Sequence, residues 1–181
     1  MYNEIPKISE GEEYILDFFK EERIKFEREK KIAGLKGDGT AYRIADFYLP
    51  DYRIYLEFLG QWNHGEEHKE RYRQKKNAYF TNNIPCIYVY PENLGILDFI
   101  FKKRIVSTLK RHNLNKQLFR WRLLTSLKEN NDSLWAFALS LGLLIFTIIP
   151  PVNTDHILIF IIISIFIAVR ILYKSFRIFN R

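Results

Sequence analysis

Cysteine is nearly absent from this chain, which has one residue of this type, Cys86, among 181. A single cysteine forms no disulfide within the chain, which agrees with a reducing compartment. An N-terminal apolar run is also missing: residues 1–20 are acidic and polar, so the sequence predicts no secretory signal peptide. There is no GxGxxG or Walker-type glycine spacing after a strand, which argues against a nucleotide-binding loop.

The most informative segment is residues 42–60, YRIADFYLPDYRIYLEFLG, which predicts two β-strands joined by a Pro-Asp turn. Asp46 lies on the first strand and Glu57 near the end of the second. A charged group on an apolar strand needs a partner or a metal ion. Two such acids on neighbouring strands can share a divalent ion that polarises a phosphodiester and lowers the pKa of the attacking water. Alternatively, Asp46 pairs with Arg43, and Glu57 pairs with a nearby arginine.

Further elements surround these strands. Ser9 is a candidate N-cap for an amphipathic helix, which places Glu12 in its first turn, near the positive helix end. We expect a strand over residues 24–32, a polar helix over about 66–82 and a last apolar strand over 85–90. The predicted order of elements is α-β-β-β-α-β.

Four short motifs occur in this order, and each is placed on one of the predicted elements. They are Ser9-Glu10-Gly11-Glu12, Asp46-Phe47-Tyr48-Leu49-Pro50, Glu57-Phe58-Leu59-Gly60 and Lys76-Asn77-Ala78-Tyr79. With them the chain resembles the PD-(D/E)xK restriction-endonuclease-like superfamily, and most of all its small Vsr-like and endonuclease-related branches. The resemblance covers about residues 8–100. It implies an α/β fold with a restriction-endonuclease-like core, in which helices flank a central mixed sheet.

The resemblance also implies a metal site and a substrate. Asp46, Glu57 and the backbone carbonyl of Phe58 would bind Mg²⁺ or Mn²⁺. Glu12 would hold a second ion or a water on the first. The substrate would be DNA.

The lysine of the motif is displaced. The superfamily's usual lysine lies two residues after the second acid, where this chain has Leu59. In related branches a lysine on the following helix takes its place, which here is Lys76, or Lys75 if the register differs. Gln61 is an accessory candidate that would orient a water. Alternatively, both lysines belong to a solvated helix face, and the domain binds DNA without cutting it.

His64 and His68 have the i, i+4 spacing of a zinc-binding pair, but further ligands are not evident, since Cys86 is predicted to lie in a strand. We therefore expect no structural zinc site. His64 is an accessory candidate, as a general acid or as a partner of the acids. It is alternatively a polar surface residue.

Two apolar runs lie near the C-terminus: 22 residues without formal charge over 133–154, and a shorter run over 157–169. They predict a transmembrane helical hairpin over 133–174 that follows a nuclease-like domain (1–100) and a basic amphipathic helical connector (101–132). A short basic tail (175–181) completes the chain. The alternative is a buried helical hairpin in a soluble core.

The charges predict a topology for this hairpin. Nine Lys or Arg and no acid lie between Lys102 and Lys128, and more follow the second run. The positive-inside rule then gives an integral membrane protein with two spans, with both termini and the nuclease domain in the cytoplasm.

The overall net charge of +7 is unevenly distributed. Residues 1–98 contain 15 basic and 18 acidic residues, whereas the remainder contains 13 basic and 3 acidic residues. Anionic lipid explains the basic part as well as nucleic acid does. The sequence thus predicts a membrane-anchored, metal-dependent DNA endonuclease that contacts an anionic lipid membrane, with a homodimer through the hairpin also open. The alternative function is a tethered nuclease-like module that binds nucleic acid or a protein partner without catalysis.

Overall fold

The computed structural model describes residues 8–148 and 154–179. The chain divides into two compact units, Met1–Leu118 and Phe119–Arg181. The first unit contains α1 (Glu10–Glu21), β1 (Glu27–Ala33), β2 (Tyr42–Leu49), β3 (Ile54–Phe58), α2 (Glu66–Thr81), β4 (Cys86–Val89), a 3₁₀ helix (Pro91–Ile96) and α3 (Leu97–Arg111). The chain continues with α4 (Asn115–Glu129), which crosses the boundary between the units, α5 (Asn131–Ile148) and α6 (Thr154–Phe179).

The four strands form one mixed sheet in the order β1-β2-β3-β4. β1 pairs antiparallel to β2, and β2 pairs antiparallel to β3. β4 pairs parallel to β3 because α2 carries the chain back to the same end of the sheet. The α/β core with a mixed sheet that the sequence predicted is therefore present. β1 begins at Glu27 rather than at residue 24, because the chain leaves α1 through a left-handed turn at Arg23 (φ 55°).

Helix α1 starts where the capping pattern predicts. The Ser9 hydroxyl accepts a hydrogen bond from the backbone N–H of Glu12, and the Glu12 carboxylate accepts one from the backbone N–H of Ser9 at 3.0 Å. Farther along the helix, Phe19 is fully buried and packs edge-on against Phe47 of β2 and Phe101 of α3. These contacts attach α1 to the sheet and fix the position of its first turn.

The sheet opens at one end between its two central strands. The pairing of β2 with β3 runs from Leu49 and Ile54 to Phe47 and Leu56. The next residues on this side are Asp46 on β2 and Glu57 on β3. The two candidate acids therefore lie where the backbone ladder has ended and the strands separate.

The predicted transmembrane hairpin is contradicted. In α6, the stretch from His156 to Val169 that lacks acids, Lys and Arg spans only about 21 Å before Arg170. In the ranges 8–148 and 154–179, no helix is long and apolar enough to cross a membrane.

The expected integral membrane protein with two spans and a cytoplasmic nuclease domain is wrong on this finding. Pro150 and Pro151, near the end of the first apolar run, lie outside the described residues. Within the second unit, α5 packs against α6. The Ser126 and Ser175 hydroxyls are 2.8 Å apart, and the buried Asn130 donates to the Ser126 carbonyl at 2.8 Å.

Candidate functional site

A cleft of about 1050 Å³ opens in the first unit beside the separated ends of β2 and β3. The N-terminal turn of α1, the middle of α2, the loop after β3 and the 3₁₀ helix complete its walls. Most of the predicted site residues line it, namely Glu12, Asp46, Glu57, Phe58, Gln61, His64 and Lys75. Lys76 is not among the lining residues. The fold thus brings residues that are distant in sequence to one concave surface.

Asp46 is held by the backbone of the neighbouring strand. Its Oδ2 accepts a hydrogen bond of 2.6 Å from the backbone N–H of Phe58, a donor left free by the end of the ladder. Because this donor belongs to a strand, it fixes the carboxylate more firmly than a mobile side chain would. The contact also places Asp46 beside Glu57, the residue before Phe58.

Glu57 is the most buried acid of the cleft, with 1% of its surface exposed. Its Oε1 accepts a hydrogen bond from the Tyr79 hydroxyl at 2.8 Å, and its Oε2 accepts one from Lys75 Nζ at 2.5 Å. Lys75 Nζ also donates to the carbonyl oxygen of Ile44 at 2.7 Å. Both oxygens of Glu57 are therefore oriented by side chains of α2, and the Lys75 ammonium is fixed between the acid and strand β2.

Desolvation disfavours the ionised forms of Asp46 and Glu57. Burial and, next, the negative charge of Asp46 raise the pKa of Glu57 to about 8, although Lys75 acts to lower it. Burial also raises the pKa of Asp46 to about 6, while Lys75 and the Phe58 N–H lower it and Glu12 raises it. One ammonium thus faces two desolvated carboxyls, and a further cation would stabilise their ionised forms.

Lys76 points into a different environment from Lys75. Its ammonium lies 5.7 Å from the ring centroid of Trp62, 5.0 Å from that of Tyr88 and 5.8 Å from that of Tyr90. It also donates to the Tyr90 hydroxyl at 3.2 Å. The structure therefore brings Lys75, and not Lys76, to the acids, as the alternative register predicts.

Glu12 reaches the cleft through the close packing of α1 on Phe58. A Cβ atom built on Gly11 would lie 2.2 Å from two ring carbons of Phe58, and one built on Gly60 would lie 2.7 Å from the ring. Any larger side chain at Gly11 would push α1 away from the sheet. The glycines of two sequence motifs thus allow Glu12 to approach Asp46, whose pKa it influences.

The remaining candidates lie at the outer end of the cleft. The Gln61 side-chain oxygen accepts a hydrogen bond from Arg71 at 3.0 Å, and its backbone N–H donates to the Tyr72 hydroxyl at 3.2 Å. Gln61 is therefore engaged by α2 rather than free to orient a water. The rings of His64 and His68 are 6.4 Å apart and nearly perpendicular.

The alternative pairing of Asp46 with Arg43 does not occur. The Arg43 guanidinium makes two hydrogen bonds to Asp38, at 2.6 and 2.7 Å, and Asp38 is in the loop between β1 and β2. This interaction holds the pKa of the Asp38 carboxyl below its ordinary value, with burial acting in the opposite direction. Arg43 lines the cleft, but its charge is already compensated.

Sequence reasoning missed two contributors to the site. Tyr79 is fully buried and its hydroxyl donates to Glu57, whereas the sequence indicated it only as the last residue of a motif. Arg71 was not considered, although it lines the cleft. Both lie at four-residue spacing from Lys75, at positions 71, 75 and 79, and this spacing was a usable signal because it places three side chains on one helix face.

The donor set suits a hard cation. Asp46 and Glu57 supply carboxylate oxygens, and their pKa values are raised mainly by burial, which a bound cation would offset. Among the described residues, no group of three or more His, Cys, Asp and Glu side chains is arranged to hold a metal ion. Two carboxylates are nevertheless sufficient for Mg²⁺, which keeps several waters and takes further oxygens from substrate phosphates.

Comparisons of the chain with protein-family models, with curated proteins and with solved structures find no match.

Proposed function

We propose that the first unit is a metal-dependent nuclease that hydrolyses phosphodiester bonds of DNA, with Asp46, Glu57 and Lys75 as its central residues. The observation that supports this most directly is the buried Glu57 carboxyl next to the half-buried Asp46 carboxyl and one lysine ammonium in an open cleft. Such desolvated, mutually repelling acids are a signature of functional sites, because stability alone does not favour them. The resemblance to PD-(D/E)xK enzymes leads to the same activity.

Asp46 and Glu57 are the residues that would hold Mg²⁺ or Mn²⁺. When bound, the ion would polarise the phosphodiester and lower the pKa of the attacking water. The chain's own contribution is to orient these ligands in advance: the Phe58 N–H fixes Asp46, and Tyr79 fixes one oxygen of Glu57.

Lys75 takes the role that the motif assigns to a lysine. Its ammonium lies against Glu57, and 19% of its side chain is exposed, so it faces both the acids and the cleft. From this position it would donate to a phosphate oxygen and stabilise the charge that develops in the transition state. Lys76, enclosed by aromatic rings, is not assigned this role.

Glu12 completes the site from the opposite wall. Its carboxylate is fixed by the Ser9 N–H in the capping box and lines the same cleft as Asp46. It would accept a hydrogen bond from the attacking water and orient it toward the phosphate.

A cleavage assay with the full-length chain tests the proposal. Supercoiled plasmid and single-stranded DNA are incubated with Mg²⁺, with Mn²⁺, or with a chelator. We expect cleavage with either ion, none with chelator, and loss of cleavage in Glu57→Gln. The control is Glu13→Gln, which removes an exposed acid of α1 and should cut like the parent. A parent that cuts equally well with chelator would contradict the proposal.

One observation favours a second candidate function, a module that binds nucleic acid without cutting it. Both oxygens of Glu57 are already hydrogen-bonded, by Tyr79 and by Lys75. If Lys75 serves only to neutralise Glu57, the carboxylate is not offered to a metal ion. DNA binding by the parent without cleavage in either ion would replace the enzyme with this module.

A further inference from the structure

One face of α2 leads from the buried acids to the solvent. Tyr79, Lys75 and Arg71 follow each other at four-residue spacing and therefore lie on the same helix face. Tyr79 is fully buried, Lys75 is partly exposed, and Arg71 is exposed while still lining the cleft. The face thus places a second cation one helical turn outward from the first.

Arg71 is oriented, but by neutral groups. Its guanidinium donates to the Gln61 side-chain oxygen at 3.0 Å and lies 5.5 Å from the ring centroid of Tyr72. Tyr72 in turn accepts a hydrogen bond from the Gln61 backbone N–H, which closes the cluster. A guanidinium fixed in this way presents its remaining donors in one direction.

Other arginines of this unit show what is distinctive about Arg71. Arg43 is bound by Asp38, and Arg73 contacts Glu66 and Glu70. In the described part of the chain, none of the ion pairs includes Arg71. Its positive charge is therefore available to an anion that enters the cleft.

We infer that Arg71, oriented by Gln61, forms a second phosphate-binding subsite for the nucleic acid strand whose scissile phosphate lies at Lys75. This inference rests on the proposed function. Arg71 and Lys75 are four residues apart, about 6 Å along the helix axis, which corresponds to between one and two axial rises of a strand at about 3.4 Å per nucleotide. A planar, pre-oriented guanidinium suits two oxygens of a phosphate.

The salt dependence of DNA binding tests this subsite. The full-length chain and its variants are titrated with a fluorescent DNA oligonucleotide in Ca²⁺, over a series of salt concentrations. Arg71→Ala should weaken binding about tenfold at low salt and reduce the slope of log K against log salt by about 0.9 for duplex or 0.7 for single-stranded DNA, the value for one phosphate contact. The size of the decrease in slope therefore also distinguishes duplex from single-stranded DNA.

Arg73→Ala is the matched control. It removes the same side chain two positions away on the same helix, where the charge is shared with acids and lies outside the cleft. It should leave the slope unchanged. Equal slopes for Arg71→Ala and Arg73→Ala would overturn the inference, as would a parent that does not bind DNA.

Gln61→Ala separates orientation from charge. This variant keeps the Arg71 guanidinium but removes the oxygen that holds it, so affinity should fall while the salt slope stays that of the parent. Because the two residues act as one unit, the double variant should bind no more weakly than Arg71→Ala. Additive losses would show that Gln61 does not position Arg71.

Turnover distinguishes the failure of this inference from the failure of the proposed function. In Arg71→Ala we expect a KM raised about tenfold with kcat within a few-fold of the parent, since the contact also exists in the ground state. Cleavage with parental KM and parental salt slope would overturn the subsite and leave the nuclease intact. A parent that binds DNA with the predicted slopes but never cuts would instead remove the nuclease and retain a phosphate contact at Arg71.

Discussion

Two adjacent lysines of α2 have opposite surroundings. Lys75 lies against Glu57 and the carbonyl of Ile44 in a cleft, whereas the ammonium of Lys76 lies among the rings of Trp62, Tyr88 and Tyr90. The residues are about 100° apart around the helix, so each belongs to a different face. The same residue type therefore meets buried carboxyls on one face and aromatic rings on the other.

The difference shows which lysine lies beside the acids. Cation–π contacts with three rings and a hydrogen bond to the Tyr90 hydroxyl stabilise the ammonium of Lys76 away from the acids. Lys75 is placed beside two carboxyls whose pKa values are raised by burial, and it borders the space into which a substrate would enter. The helix face with Lys76 therefore supports the fold, and the face with Lys75 carries the candidate site.

The largest effect expected on the acid side comes from Asp46→Asn. The amide can still accept from the Phe58 N–H but lacks the charge that a hard cation needs, so Mg²⁺-dependent cleavage should fall at least a thousandfold. Removing a desolvated charge beside Glu57 should leave the melting temperature without metal unchanged or higher. Plasmid cleavage and thermal unfolding measure the two effects.

Asp38→Asn is a control for which the opposite effect on the melting temperature is expected. Its carboxyl is stabilised by Arg43, which lowers its pKa, so its removal should lower the melting temperature. A clear loss of stability in Asp46→Asn, comparable to that of Asp38→Asn, would identify Asp46 as one half of a structural ion pair and remove the distinction between the two acids.

The pH dependence of stability should be the next largest effect. Because the pKa values of Asp46 and Glu57 are raised on folding, the folded state binds more protons than the unfolded state between about pH 4 and about 8. Without metal, the stability they contribute is fully present below this window and is lost as pH rises through it, by a few kcal/mol in order of magnitude. Chemical denaturation at a series of pH values measures this loss.

A second titration isolates the acids. Burial lowers the pKa of His112, so this residue acts in the opposite direction below pH 6.5, and the decline is best read between pH 6.5 and 8. Glu57→Gln should flatten the decline in this range, and saturating Mg²⁺ should flatten it in the parent, because a bound cation favours ionised carboxylates. If neither Glu57→Gln nor saturating Mg²⁺ changes the decline of stability with pH, the decline does not come from these acids.

A smaller effect is expected from Gly11→Ala, which tests how α1 brings Glu12 to the acids. The added methyl would overlap the Phe58 ring, so α1 or the ring must move. Overpacking costs about 1–3 kcal/mol, and the better helix propensity of alanine returns up to about 1 kcal/mol. We expect a net loss of about 1–2 kcal/mol in chemical denaturation, with slower cleavage.

Gly39→Ala is the matched control, because nothing lies within 4 Å of its added Cβ and its backbone is not left-handed. It should be nearly neutral. The double variant Gly11→Ala with Phe58→Leu should recover part of the lost stability by making room for the methyl. No recovery would show that the overlap with Phe58 is not the cause.

Local patterns predicted the first unit well. Ser9 and Glu12 carry a capping pattern that is satisfied within four residues, and the alternation around Asp46 and Glu57 specifies strands with a turn between them. The letter-by-letter match to the family motif favoured Lys76, whereas the helix period favours Lys75, the residue that contacts Glu57 in the structure. Because Tyr79 is buried, Lys75, four positions earlier, lies on the same inward helix face.

The second unit was predicted less well. Its apolar composition predicted two transmembrane spans, but composition does not measure how long an uninterrupted apolar stretch remains within one helix. In α6 the positions of Asp155 and Arg170 limit that stretch. The roles of Gly11 and Arg71 also depend on tertiary packing, which brings Phe58 and Gln61 to them from other elements.

The most direct test of this account is the cleavage rate of Lys75→Ala and of Lys76→Ala, each in the full-length chain with saturating Mg²⁺ and saturating DNA. Deleting one charged stabiliser of the transition state should slow Lys75→Ala by roughly a hundredfold or more. Lys76→Ala should cut within a few-fold of the parent rate and show a lower melting temperature, through the loss of its contacts with the rings. A hundredfold loss in Lys76→Ala with a parental rate in Lys75→Ala would contradict the assignment of the two faces.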